Sequence, residues 1–418
     1  MAEPTTVARP RRMLLVSFLE PWSMGSGMGA PSLHETLAGW ARAGWEVDYL
    51  TFAKRSVGGV AHETDVAMDV PGVRVWRFSI PTLFQPLGTR VQAKADRLLL
   101  FPVGAAREIA QRMADTRYDV VYAYEISAIL ACGLARRLSR WRGLLVHRIQ
   151  GVQVLEGRFR QAAFMARKLE NLLALRAHAD LYIMTNDGTH GDEAWRHWNA
   201  DVGPHNLLHI RNGIDGTIGT SKTSRDVTLS SSGIAPDAVV ALMVSRLDPI
   251  KRIDRGIRLV AALRERTPQL RLVIAGDGED RAHLEALARE LGVDDRVHFL
   301  GGVSRGRVAD LMNAADLFLS LYDFSNCGNP LFEALLCGRP IVTLANGATP
   351  EVITDGVNGR LVEPDDTVAL EQAVCALIED DDARERLSAG ARAWAQANLA
   401  SWDERLAREV RFVEAKVP

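Results

Sequence analysis

Four cysteines in 418 residues, at Cys132, Cys327, Cys337 and Cys375, are too few and too scattered for a disulfide framework or a metal or redox spacing. Reduced thiols in a cytoplasm fit them best. Net charge is almost absent: 50 Lys and Arg face 52 Asp and Glu, a formal −2, so nothing global argues for a nucleic-acid partner. The chain also lacks any apolar run of the roughly 18 residues that a membrane span needs, so the membrane association left to consider is a peripheral one. At the N-terminus Arg9, Arg11 and Arg12 precede Met13-Leu14-Leu15-Val16-Ser17-Phe18-Leu19, which superficially resembles a signal peptide. That run is only seven residues long, Glu20 ends it and no small-residue cleavage site follows, so it reads as a first strand.

The length predicts two or three domains, two large ones being the simplest division, and 47% hydrophobic content is enough to fill their cores. Past a loose tail over residues 1–12, strands are predicted at 13–18, 47–52, 73–78, 119–124, 144–150, 181–184 and 207–211, with helical patterns between them. Such alternation argues for a parallel sheet wound on both sides. The polar stretch 216–238 is the best linker candidate. A more regular second series follows, with strands at 240–244, 270–275, 297–300, 315–321 and 341–344. A last helix, about 402–416, is expected to pack back on the first domain. Early in the chain, Gly25-Ser26-Gly27-Met28-Gly29-Ala30 formally satisfies a dinucleotide fingerprint. Gly25 comes seven residues after Phe18, and the second strand ends without an acidic residue for a ribose, both against that reading.

The most informative stretch runs from Asp323 to Pro364. It follows a short apolar run that suits a strand buried on both faces. A helix is predicted from Asn329 or Pro330, stopped by Gly338 and Pro340. The loop Ser325-Asn326-Cys327-Gly328 would then precede a helix N-terminus, where free N–H groups and the helix dipole favour a phosphate. Glu333, in the first turn, can accept from vicinal hydroxyls such as those of a ribose. A tight turn at Gly328 and a carboxylate that merely complements the dipole is the plainer alternative.

Taken together, these motifs resemble the retaining glycosyltransferases of family 4. They are Ser245-Arg246-Leu247 with Lys251, Val-Ile-Ala-Gly-Asp-Gly at 273–278, Phe-Leu-Gly-Gly-Val at 299–303, Ala-Asp-Leu-Phe-Leu-Ser at 315–320, and the stretch from Cys327 to Pro364. The resemblance is strong over 240–364 and weak before Asn212-Gly213-Ile214-Asp215. It implies the GT-B fold, two doubly wound Rossmann-like domains facing each other across a cleft: an acceptor-binding domain over 1–215, a linker over 216–238, a nucleotide-sugar domain over 239–400 and the returning helix over 401–418. It implies transfer of a sugar from a nucleoside diphosphate sugar, UDP slightly favoured over GDP, to an acceptor hydroxyl with retention, and no required cofactor or metal. Arg246 and Lys251 would grip the diphosphate, Glu333 the ribose, and Val303 would lie beside the base. Gly328, Asn329 and Leu331 would meet the phosphate and sugar, and Gly27 and Gly29 would approach from the other domain.

Two departures stand out. Eight positions before Glu333, where the family places a second glutamate, stands Ser325, with Asp323 out of register. Many members carry a His at the end of the strand over 144–150, where this chain has Gln150, which we place on the acceptor side. His147 should point to the other face, as an ordinary core or surface residue. Acidic runs at Asp365-Asp366 and Asp380-Asp381-Asp382 read as helix starts or loops, not metal sites. Basic clusters at Arg136, Arg137, Arg140 and Arg142 and at Arg158, Arg160, Arg167 and Lys168 fit a solvated helix face, and leave open a peripheral contact with the inner face of a membrane. The rival readings are a sugar-nucleotide epimerase of the same fold, a phosphorylase carrying pyridoxal phosphate, and a sugar-nucleotide-binding protein that has lost turnover.

Overall fold

The computed structural model describes residues 9–17, 31–52, 70–78, 101–151, 169–221 and 223–417. Two parallel sheets form its frame. The first holds β1 (Arg12–Val16), β2 (Glu46–Phe52), β3 (Val73–Phe78), β4 (Val120–Tyr124), β5 (Leu144–Ile149), β6 (Leu181–Thr185) and β7 (Leu207–Ile210), in the order β3-β2-β1-β4-β5-β6-β7. The second holds β8 (Val239–Val244), β9 (Leu270–Ala275), β10 (Val297–Gly301), β11 (Leu317–Ser320), β12 (Ile341–Leu344) and β13 (Arg360–Val362), in the order β10-β9-β8-β11-β12-β13.

Parallel pairing puts helices on both faces of a sheet, so its inner strands are apolar throughout. Every residue of β4, β6, β11 and β12 is buried. One face of the first sheet, with Leu14 and Tyr182, packs under the helices between 101 and 198, which contribute Ile129 and Trp195. Its other face, with Met13, Tyr122 and Ile183, is covered by the helix Pro31–Arg42 and by the last helix, Trp402–Glu414. Strand order reverses between β1 and β4 and again between β8 and β11. Crevices open at the carboxyl ends of strands where that order reverses, and ligands of doubly wound sheets bind there.

The stretch expected as a linker is folded. It carries a 3-10 turn, Gly216–Gly219, and a helix, Arg225–Ser230, and its Ile218, Leu229, Ile234 and Ala238 are buried in one core with Leu242 and Phe318. Its Ser and Thr content disguised the four apolar anchors. Ser224 caps the short helix through Val227 N–H, a placement in which Ser favours order, not a loop. Asp366 and Asp380 likewise cap the helices Thr367–Glu379 and Asp381–Asn398, as expected of those acidic runs.

The last helix starts with a reciprocal cap between Ser401 and Glu404 and returns to the first sheet. Its buried Glu409 accepts from Trp40 Nε1 at 3.1 Å and Tyr122 O–H at 2.7 Å, and pairs with Arg405 Nη1 at 2.5 Å. Arg148, fully buried on β5, shares this pocket: Arg405 and Arg148 hold the Glu409 carboxyl below its ordinary range despite burial. Where the chain crosses between sheets, the outgoing and returning segments run side by side. Ile214 N donates to Ala400 O at 3.0 Å, and Gly213 lies so close to Trp402 that an added Cβ would sit 2.4 Å from its Cα.

Candidate active site

The second sheet's crevice is built from the loops that follow β8 and β11. After β8 the backbone runs through Ser245 and the exposed Arg246 to Leu247, which is fully buried. Asp277 O accepts from Leu247 N at 3.0 Å, and a Cβ on Gly278 would lie 2.2 Å from Leu247 O. The Gly-Asp-Gly after β9 is thus needed for close backbone approach. Asp248 caps the turn Pro249–Lys251, delivering Lys251 Nζ to 4.1 Å from the centre of the Tyr322 ring, a favourable cation–π placement. Burial, then the Arg246 charge, depress the Lys251 pKa from its ordinary value, while Asp248 and Asp187 oppose the shift. Two cations that disfavour each other in a half-closed crevice favour an anion.

After β11, buried Asn326 sets the loop. Its Oδ1 accepts from Ser320 O–H at 2.8 Å and Tyr322 N at 2.9 Å, and its Nδ2 donates to Asn346 Oδ1 at 2.9 Å. The helix Asn329–Leu336 then begins on Gly328 with no side-chain cap. Within it Glu333 is pushed up to about 7, burial being the main cause, with Arg305 pulling it down and Asp215 adding to the rise. Arg305 bridges Asp215 at 3.1 Å and reaches Glu35 of the helix Pro31–Arg42 at 3.6 Å, tying the two halves together beside Glu333. A cavity of about 310 Å³ opens beside this bridge, lined by Asp215, Thr217, Ser221, Thr223, Arg305 and Asp310.

The facing wall comes from β5 and β6. Gln150 Nε2 donates to Tyr124 O–H, and Thr185 O–H donates to Gln150 Oε1 at 3.5 Å, so the amide is tied into its own domain. Arg148 Nη2 donates to Asn212 Oδ1 at 3.3 Å, and Asn212 Nδ2 donates to Asn329 Oδ1 at 3.2 Å. That chain of bonds links the first sheet to the start of the helix Asn329–Leu336. His147 points to the opposite face, fully buried and edge-on to Tyr182 at 5.7 Å, where burial drives it down to about 3. It is a neutral core residue.

Residues 224–394 match the family described as Glycosyl transferases group 1, and residues 27–192 match the glycosyl transferase 4-like domain. The chain is 30% identical over 381 residues to the D-inositol 3-phosphate glycosyltransferase of Xylanimonas cellulosilytica, covering 87% of this chain and 86% of that one. The chain belongs to the group 1 glycosyl transferases. The fold is shared by sucrose-phosphate synthase of Thermosynechococcus elongatus, with a TM-score of 0.76 at 20% identity over 97% of this chain and 98% of that one. Anabaena HepE in complex with UDP-glucose gives a TM-score of 0.70 at 21% identity over 96% and 99% of the two chains. This glycosyl transferase is therefore an enzyme with the GT-B architecture, moving a glycosyl group from a nucleotide sugar.

Within it, Arg246 and Lys251 follow β8, and Gly328, Asn329 and Glu333 lie at the start of the helix that follows β11, β8 and β11 being neighbours in the second sheet. Leu331 does not offer its side chain there: it is buried in the core, and its N–H donates to Gly328 O at 3.1 Å. Val303 is half-buried just before the Ser304 cap of the helix Arg305–Ala314. Gly27 and Gly29 lie outside the described residues. Asp323 is taken up by Arg252 and Arg255, each at 2.9 Å, and is unavailable as a substitute for a carboxylate at 325. Ser325 donates instead to Asp187 O of the first domain at 3.0 Å. The sequence reading missed Asn326, Arg305 and Asp187. Asn326 had a signal, an Asn between a buried strand and a helix start; the other two act across the cleft and had none.

Proposed function

We propose that this glycosyl transferase moves its sugar with retention at the anomeric carbon, using a nucleoside diphosphate sugar. Lys251 and Arg246 neutralise the diphosphate, helped by the uncapped start of the helix Asn329–Leu336. Glu333 accepts from the ribose hydroxyls, Val303 lies beside the base, and Gln150 lines the acceptor side. The observation that carries this reading is the pair Lys251 and Glu333. They stand on the segments that follow two neighbouring strands, β8 and β11, and each is displaced toward its neutral form, the first downward and the second up to about 7, as expected of groups that meet a charged ligand.

The acceptor hydroxyl attacks the anomeric carbon from the face the diphosphate leaves. The carbon–oxygen bond to the acceptor forms as the bond to the phosphate oxygen breaks, and that departing oxygen takes the acceptor's proton. Arg246, Lys251 and the helix start stabilise the charge that develops there. UDP is favoured over GDP as the carrier. The relatives' name makes a small phosphorylated polyol the first acceptor to try. The domain division that suits the contacts assigns 1–215 with 401–418 to the acceptor side and 239–400 to the donor side, with 216–238 joining the latter. We place the reaction in the cytoplasm. Exposed Arg137, Leu138, Arg140 and Arg142 form an edge suited to an anionic membrane surface.

A thermal-shift panel of UDP, GDP, ADP, dTDP and CMP with NAD as control tests the donor site, since a ligand of the folded state raises Tm by mass action. A shift with UDP is expected. A shift with NAD alone overturns the reading. Proton NMR of the first product with the matching sugar nucleotide then reads the anomeric configuration, and product formed without an acceptor would favour the epimerase.

A further inference from the structure

The Asp187 carboxylate of the first domain lies at the junction of the two halves, and none of the roles above uses it. Asp187 follows β6, next to the Gln150-Gly151 end of β5. Its backbone O accepts from Ser325 O–H at 3.0 Å, and the next residue's O accepts from Ala348 N at 2.9 Å. Gly188 is pressed so close that a Cβ there would meet Ser325 Oγ at 2.3 Å and Cys327 Cβ at 2.8 Å. The loop is therefore pinned against the segment that leads into the helix Asn329–Leu336.

The carboxylate itself is held by Thr189 and by the Asp187 backbone N–H. Oδ1 accepts from Thr189 N at 3.1 Å and Thr189 O–H at 2.7 Å. Oδ2 occupies the notch that Gly151 leaves: a Cβ on residue 151 would lie 2.1 Å from it. Asp187 is half-buried, and it and Lys251 feel each other's charge across the cleft. On the reading that Lys251 and the helix start hold the diphosphate, the group between them and the β5–β6 wall is the sugar on the distal phosphate. A sugar is recognised through its hydroxyls, and an ionised carboxylate is their strongest side-chain acceptor.

We propose that Asp187 is a specificity-determining residue, a carboxylate presented from the first domain that accepts hydrogen bonds from the hydroxyls of the transferred sugar. The inference rests on the donor-site reading above. Ser325 acts through it: its hydroxyl holds the Asp187 backbone so that the carboxylate faces the sugar. Burial raises the Asp187 pKa from its ordinary value, so sugar recognition weakens at acidic pH.

The test measures what the sugar adds to binding. Isothermal titration calorimetry compares UDP with UDP-glucose, UDP-galactose and UDP-N-acetylglucosamine, and GDP with GDP-mannose, for the wild type, Asp187→Asn, Asp187→Ala and Ser325→Ala. Asp187→Asn keeps the volume if the alanine variant fails to fold. The sugar's gain in affinity should fall about 10- to 100-fold in both Asp187 variants, the size of a lost charge-assisted hydrogen bond, with UDP affinity unchanged. Ser325→Ala should lose less. An unchanged gain, or equal losses for UDP and its sugar, overturns the assignment, as does a wild type that gains nothing from any sugar. Binding by none of the nucleotides overturns the donor-site reading and this inference with it.

Discussion

Two nests of charge lie within one chain and are treated in opposite ways. Under the last helix, Glu409, Arg405 and Arg148 are sealed from water and answer one another, so Glu409 stays ionised although fully buried. In the cleft, Lys251 and Glu333 sit in half-closed surroundings and are displaced toward neutrality. The sealed nest is closed off from solvent around one carboxylate and two guanidinium groups, and contributes to holding the fold. The open nest is not balanced in this way within the chain, and on the proposed reading its counterpart is the nucleotide sugar.

The contrast breaks most violently at Glu409. Glu409→Ala leaves two guanidinium groups buried against each other and should cost about 3–5 kcal/mol of stability, read by urea unfolding. Lys251→Ala should do the reverse: Tm unchanged or raised, and kcat lowered roughly 100- to 1000-fold, the size of one lost charge-stabilising group. Arg246→Ala, at a more exposed position, should follow with the same pattern. If Lys251→Ala instead lowers Tm with its activity, the two nests are not different in kind.

Glu333 sharpens the comparison through pH. A carboxyl raised to about 7 on folding contributes stability fully below the ordinary carboxylate range, and loses it as pH rises through 7. Glu333→Gln should therefore match the wild type in Tm at pH 5 and exceed it by a few degrees at pH 8. Ribose hydroxyls need the ionised form, so UDP affinity of the wild type should fall as pH drops below 7, and the variant should be weak and flat throughout. The smallest effect belongs to the rim. Asp403→Ala removes an exposed pair with Arg42 at 2.8 Å and should cost less than about 0.5 kcal/mol.

The sheets were legible because their inner strands are short apolar runs separated by amphipathic helices, and the local placement of Lys251, Gly328 and Glu333 because each sits at a strand end or helix start that punctuation residues mark. The 216–238 segment misled because its four buried anchors are spaced among capping Ser and Thr. Asp187 and Arg305 were invisible for a different reason. Their roles come from partners on the opposite domain, Ser325 for one and Glu35 for the other, about 140 and 270 residues away in sequence, a distance over which local pattern carries no information.

The returning helix has a consequence for how the protein comes into being. A chain emerging from the ribosome presents its first domain first, yet the cover over Met13, Trp40 and Tyr122, and the carboxylate that answers Arg148, arrive only with residues 402–414. The domain begun first is thus finished last. Until the final turn of synthesis it carries a bare aromatic strip and an unanswered cation, so a nascent chain stalled before residue 402 should engage holding chaperones, while one that has cleared the exit tunnel should not.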